Sequence, residues 1–262
     1  MSDMKHVFYV GSLCLGLFFG MLLLMEIGRR IGVGRRASDP EASKATFGTI
    51  EGGILTLFAL LLTFTFSGAG ARFDARRQLI VQETNAIGTA YLRLDVLPAA
   101  IQPGLRDNFR RYLNARLNVY RKLPDLEAAK QELTIANSLQ REIWRQSISA
   151  VRADDAPPQA AVVLLPALNA MIDIATTVTM APQFHPPLII FGMLFVVALT
   201  SSLLAGYGMG AGIGRSWLHM LCFGVVIAFT VYVIIDIEYP SAGLIRVNAF
   251  DQALVELRDS MK

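Results

Sequence analysis

Four uncharged stretches organise the chain: Val7 to Met25, Gly52 to Ala71, Pro186 to Gly214 and Ser216 to Ile235. Each is near or above the roughly 20 residues that an α-helix needs to cross about 30 Å of hydrocarbon, so the pattern predicts four membrane helices. The second starts near Thr46 to Gly48. Beyond Ala71 it meets Arg72, Asp74, Arg76 and Arg77 without any Gly-Pro break, so one helix leaves the bilayer and continues into water to about Leu97, where Pro98 and Pro103 end it. Between the first two helices, Glu26 to Phe47 holds Arg29, Arg30, Arg35, Arg36 and Lys44 among the turn formers Gly32, Gly34, Ser38, Asp39 and Pro40. It reads as a basic loop flanking the membrane.

From the end of the second helix near Pro98 to Pro182 the pattern changes to soluble helices punctuated by proline. One runs from Leu105 to Leu123, a second is capped by Asp125 and ends near Ala153, and a third is opened by Pro157 or Pro158 and reaches about Met180. Leu105, Phe109, Tyr112, Leu113, Arg116 and Tyr120 recur at three-and-four spacing, with Asn108, Arg111, Asn114 and Asn118 between them, which makes the first of these amphipathic. The third is apolar around most of its surface and is expected to be buried, to lie at the membrane or to face a partner subunit. Within it Asp173 is a candidate for a buried paired carboxylate, or for a hydrogen bond to Thr176 or Thr177.

His185, Pro186 and Pro187 mark re-entry into the bilayer, and the third membrane helix runs to about Gly206. Its Thr200, Ser201 and Ser202 hydroxyls can bond back to the helix or across it. The fourth ends at Asp236 and Glu238, placed with Glu51 at headgroup level, and an amphipathic tail follows with Ile245, Phe250, Leu254, Leu257 and Met261 apolar. The expected fold is therefore all-α and polytopic. Residues 1–71 hold the first two membrane helices, 72–185 a soluble helical domain continuous with helix two, 186–238 helices three and four, and 239–262 the C-terminal amphipathic helix.

Composition agrees with a mixed protein: 53% hydrophobic is too apolar for a soluble domain of this length, and 17% charged is too much for membrane alone. The net charge of +3 forms no basic run with interleaved aromatics, so nucleic acid is not an expected partner, and the cations are better used at the membrane surface. The first apolar run is longer than a signal-peptide core and has no small-x-small cleavage site, so it reads as a retained helix. Lysines and arginines are balanced on the two sides of the expected membrane, which leaves orientation open. Cys14 and Cys222 lie in spans as packing residues, and His6, His185 and His219 show no metal spacing. Gly206 to Ala211 matches G-x-G-x-x-A but lacks the preceding strand a dinucleotide site needs. No metal, cofactor or catalytic residue is expected, and the chain does not read as an enzyme.

Candidate chemistry lies on the second helix. At 100° per residue Thr49, Gly53, Thr56, Leu60, Thr63 and Ser67 fall within about 40° of one line. Around the axis of an oligomer, Thr56, Thr63 and Ser67 would face water while Leu60, with Phe64 one turn on, narrows the path and gates by dewetting. Equally, small and hydroxyl residues are what close helix packing in membranes uses. Arg72, Arg76 and Arg77 would form a cationic vestibule at the mouth, or serve as interfacial anchors with an Asp74–Arg77 pair.

Three segments resemble a known family: LLTFTFSGAGARFDARRQLIVQETNAIGTAYLRLDVLP, LLPALNAMIDIATT ahead of HPP, and DIEYPSAGLIRVNAFDQALVEL. They are similar to the bestrophin-like membrane proteins, distant relatives of bestrophin anion channels. Ala71, Arg72 and Phe73, then Arg77 and Leu79, look like the exit of the bestrophin pore helix, which would place the apolar neck on Thr56, Leu60 and Phe64. The tryptophans of that exit and an acidic calcium clasp are absent, so calcium gating is not implied. The resemblance implies a homo-oligomeric, passive channel for inorganic anions such as chloride, integral to a bacterial inner membrane, with termini and soluble domain cytoplasmic. The rival is a non-conducting scaffold or sensor that binds a partner through its soluble helices.

Overall fold

Among the described residues of the computed structural model (2–38, 47–123, 125–181, 185–210, 217–239 and 251–261) every regular element is helical. The order is α1 (Ser2–Ser38), α2 (Phe47–Leu92) with a 3-10 turn at Arg93–Val96, α3 (Gln102–Lys122), α4 (Leu126–Val151), α5 (Ala160–Met180), α6 (Leu188–Met209), α7 (Trp217–Glu238) and α8 (Asp251–Ser260). Five of these, α1, α2, α5, α6 and α7, are long and apolar enough to cross a membrane, one more than the uncharged runs alone predict. The chain divides into two compact units, Asp3–Arg72 with His185–Tyr239 and Phe73–Phe184 with Pro240–Lys262, and the division falls inside α2.

In the first unit α1 buries Val10, Cys14, Leu17, Met21 and Met25, a three-and-four progression that defines one face. That face does not stop at Glu26. The expected basic loop is helical as far as Ser38, because Gly28 and Gly32 continue the seam. A Cβ on Gly28 would collide with the Leu203 carbonyl and lie 2.8 Å from the Tyr207 nitrogen, and one on Gly32 would collide with the Tyr207 carbonyl. Gly206 answers from α6, its missing Cβ directed at the Met25 backbone. The glycines of GYGMG are thus a contact surface, as small residues are in membrane helix pairs. Gly206 and Gly208 lie within α6, while Ala211 is outside the described residues. Gly224 of α7 in turn accommodates Phe18, whose ring would stand 3.0 Å from an added Cβ.

Of the mid-helix hydroxyls on α6, Ser202 donates to the Ala198 carbonyl at 2.8 Å and Thr200 is exposed. Ser201 is fully buried, and its hydroxyl has no hydrogen-bond partner among the described residues. Burying an unpaired hydroxyl costs about 1–3 kcal/mol. Ser201→Ala is therefore expected to unfold at the same or a higher temperature than the wild type, read by a thermal scan of detergent-purified protein.

The second unit is built on α3, which buries Leu105, Phe109, Tyr112, Leu113 and Leu117 against Ile143 of α4, Leu164 and Leu168 of α5, and Ile87 of α2. Asp125 caps α4 as its sequence position predicts, accepting a hydrogen bond from the Ala128 amide at 3.1 Å. The C-terminal helix α8 joins the same core through Leu254. The Arg110 side chain donates to the carbonyl of Met261, just past its end. Ile245 and Phe250 lie outside the described residues. One face of α5, with Ala160, Leu164, Ala167, Leu168 and Met171, is committed to this core, while Val162, Asn169, Asp173, Thr176 and Thr177 are exposed. Asp173 is therefore not a buried paired carboxylate. Thr177 donates to its backbone carbonyl at 3.0 Å, and Thr176 donates to that of Ile172 at 3.1 Å.

Candidate functional site

The polar stripe of α2 lies in the first unit and faces outward. Phe58 and Ala69 turn into the core with Leu61 and Leu62 against it, which leaves Thr56, Leu60, Thr63, Phe64 and Ser67 exposed on the far side. Leu60 is 49% and Phe64 66% accessible, so among the described residues their own unit leaves about half or more of each apolar side chain exposed. Thr56 donates its hydroxyl proton to the Gly52 carbonyl and Thr63 to that of Ala59, both at 2.8 Å. Their protons are engaged, so what they turn outward is oxygen lone pairs.

The cations at the helix exit are placed differently from one another. Arg72 is held by Glu238 at the end of α7, with Nε 3.0 Å from both carboxylate oxygens and Nη2 2.8 Å from Oε2. Glu238 is fully buried, and His185 brings Nδ1 to 3.4 Å of its Oε1 while stacking on Tyr239 at a centroid distance of 4.6 Å. Glu238 and Asp236 are buried, not at solvated headgroup level as their sequence position suggests. The Arg72 guanidinium compensates in part for the burial of Glu238. In the second unit, Arg76 and Arg77 continue along α2, half-buried, and Arg77 donates to Asp74 at 3.2 Å in the expected i,i+3 pair.

A second charged cluster escaped the sequence reading. Glu83 of α2 and Arg116 of α3 are both buried, with Arg116 Nε 2.5 Å from Glu83 Oε1. Tyr120 donates to Glu83 Oε2 at 2.7 Å, and Arg116 Nη1 lies 3.5 Å from the Thr179 hydroxyl of α5. Burial opposes the Arg116 charge, and the Glu83 carboxylate outweighs it, leaving the guanidinium above its ordinary pKa. Burial, aided by Glu83, pushes the Tyr120 phenol well above its usual range, so it remains a donor. The available signal was Arg116 itself, an arginine in an otherwise apolar helical stripe, which requires a buried acid opposite it.

These features define an integral membrane protein that is all-helical among its described residues. Its sequence matches the Bestrophin-like domain across residues 15–249, and the chain belongs to that family. Similar solved structures agree in fold. Crystal structures of a bacterial bestrophin homologue from Klebsiella pneumoniae, in a tryptophan-to-alanine and a tyrosine-to-alanine variant, superpose with TM-scores of 0.59 and 0.55 at 14% identity. The first covers 94% of this chain and 98% of that one, the second 92% and 98%. A membrane-protein crystal structure with a proline-to-alanine substitution gives 0.56 at 14% identity, covering 92% and 98%. Comparison with curated proteins returned no match.

Proposed function

We propose that this protein is an oligomeric, passive channel for inorganic anions such as chloride, with α2 lining the pore. The observation that carries the reading is the outward stripe of α2, two largely exposed apolar residues set among hydroxyls, in a chain of the Bestrophin-like family. Copies of α2 around an axis turn Thr56, Thr63 and Ser67 to water and close the path at Leu60 and Phe64. Because the Thr56 and Thr63 protons are engaged, an anion keeps its hydration past them and loses it only at the apolar constriction. Arg76 and Arg77, further along the same helix, serve as the cationic vestibule, while Arg72, paired with Glu238, contributes less long-range field than a lone arginine.

In this reading α1, α2, α6 and α7 cross a bacterial inner membrane. The soluble domain spans 72–185, the helix of 239–262 belongs with it, and domain and termini are cytoplasmic. The fifth apolar helix, α5, stays out of the bilayer because its buried face belongs to the core with α3 and α4.

Proteoliposomes containing the purified protein are expected to pass chloride faster than cations and faster than empty liposomes. Leu60→Ala combined with Phe64→Ala is expected to raise that flux several-fold by removing the dewetting barrier. If wild type conducts and the widened variant conducts identically, the constriction lies elsewhere. If folded oligomers of neither protein conduct, the non-conducting scaffold or sensor becomes the better reading.

A further inference from the structure

Within the first unit a cavity of about 230 Å³ opens beside α2, against α6 and α7. On α2 its wall descends from Arg72 through Gly68 and Phe64 to Leu61, about 16 Å at the helical rise of about 1.5 Å per residue. On α6 it descends from Pro186 through Ile190 to Met193. Both helices enter their uncharged runs in this direction, so the arginine end lies at headgroup depth and the rest in hydrocarbon, provided that α2 leaves the bilayer at Arg72. The cavity is elongated and apolar, with one cation at its polar end. That is the complement of an anionic amphiphile.

Arg72 is also held in a particular attitude. Glu238 takes Nε and Nη2, and Nη1 folds back over Gly68, where an added Cβ would lie only 3.2 Å from it. Glycine at 68 therefore makes room for the guanidinium above the cavity, and the buried acid leaves Nη1 as the donor at its mouth. Hydrocarbon gains nothing by leaving lipid for an apolar pocket, so selection depends on the headgroup. A phosphodiester without an ammonium can accept from Nη1. A choline head brings positive charge beside Arg72.

We propose that this cavity is a binding site for an anionic phospholipid, with its phosphate on Arg72 and an acyl chain along Gly68, Phe64 and Ile190. Phe64 forms part of the cavity wall and of the outward stripe, so the bound chain buttresses the ring from the side. Binding itself does not depend on conduction.

Native mass spectrometry of the full chain, equilibrated with equal amounts of phosphatidylglycerol and phosphatidylcholine of identical chains, tests the site. The first lipid retained per protomer is expected to favour phosphatidylglycerol at least twofold, short of the about fivefold weight of one unpaired basic residue near a membrane surface because Glu238 shares the Arg72 charge. Ile190→Trp fills the cavity without touching the Arg72–Glu238 pair and is expected to abolish the preference. Val196→Trp, on the exposed side of α6, is expected to keep it. Arg72→Leu with Glu238→Leu removes the cation without stranding an acid and gives an independent arm, which decides the matter if Ile190→Trp fails to fold. Equal retention of the two lipids by wild type, an undiminished preference in Ile190→Trp or in the double variant, or displacement of the lipid by inorganic phosphate would each overturn the proposal.

Discussion

Arg116→Leu is expected to destabilise the second unit by about 3–5 kcal/mol, the cost of breaking a buried ion pair from one side. The leucine would pack, but Glu83, with no exposure to solvent, would lose the Arg116 donor at 2.5 Å and keep only Tyr120. An ionised carboxylate in that position must take up a proton or draw in water, and either loosens the packing of α2 against α3. The double variant Glu83→Leu with Arg116→Leu removes both charges and is expected to recover most of the loss, since paired burial is itself costly. Trp144 packs against the core of this unit and Trp217 belongs to the other, so denaturant titration followed by fluorescence in a Trp217→Phe background reads the unit directly. A single variant as stable as wild type would mean that Glu83 is solvated, contrary to its burial.

Gly206→Leu is expected to abolish the packing of α1 on α6, giving little monodisperse protein after detergent extraction. The Cβ alone would overlap the Met25 carbonyl and lie 2.6 Å from the Met25 carbon and Cα. All three are backbone atoms, so no rotamer change relieves the overlap and the helices must separate. The loss exceeds about 4 kcal/mol, the range reserved for disrupted cores. Gly206→Ala already carries the colliding atom and is expected to fail in the same assay. Gly16→Ala is the control: nothing lies within 4 Å of its Cβ position, and alanine in an exposed helix is favoured over glycine by about 1 kcal/mol. Size-exclusion profiles and thermal midpoints of the three variants should separate position from substitution.

Hydropathy and spacing made most of the helices legible, because a bilayer imposes length on its spans and an amphipathic helix repeats its apolar face. Asp125 and the prolines around α3 to α5 marked ends for equally local reasons. What was not legible depended on partners distant in sequence. Gly32 and Gly34 looked like turn formers because a glycine's preference is weak alone, and only the approach of Tyr207 to Gly32 makes that residue a helix contact. Asp236 and Glu238 looked solvated because nothing near them in sequence is basic, yet Glu238 is held by Arg72 and approached by His185. Composition alone did not decide the surroundings of α5, which is apolar enough for a span and also commits one face to the core around α3. For the α2 stripe, periodicity identified which residues share a line, and the structure added that their own unit leaves that line largely exposed.

The Arg72–Glu238 pair bears on how the chain must be made. Its partners are 166 residues apart, and the first unit is assembled from two segments with the bulk of the second unit between them. At ribosomal rates of about 5–20 residues per second, roughly 8 to 33 s separate the synthesis of the two ends. Throughout that interval Arg72 has no Glu238 to hold it, and for most of it α1 waits for the glycine face of α6. The nascent protein must therefore keep its first two helices apart from unrelated partners until its last apolar helix emerges, which makes ribosome stalling within α7 a point at which quality control would find an exposed arginine.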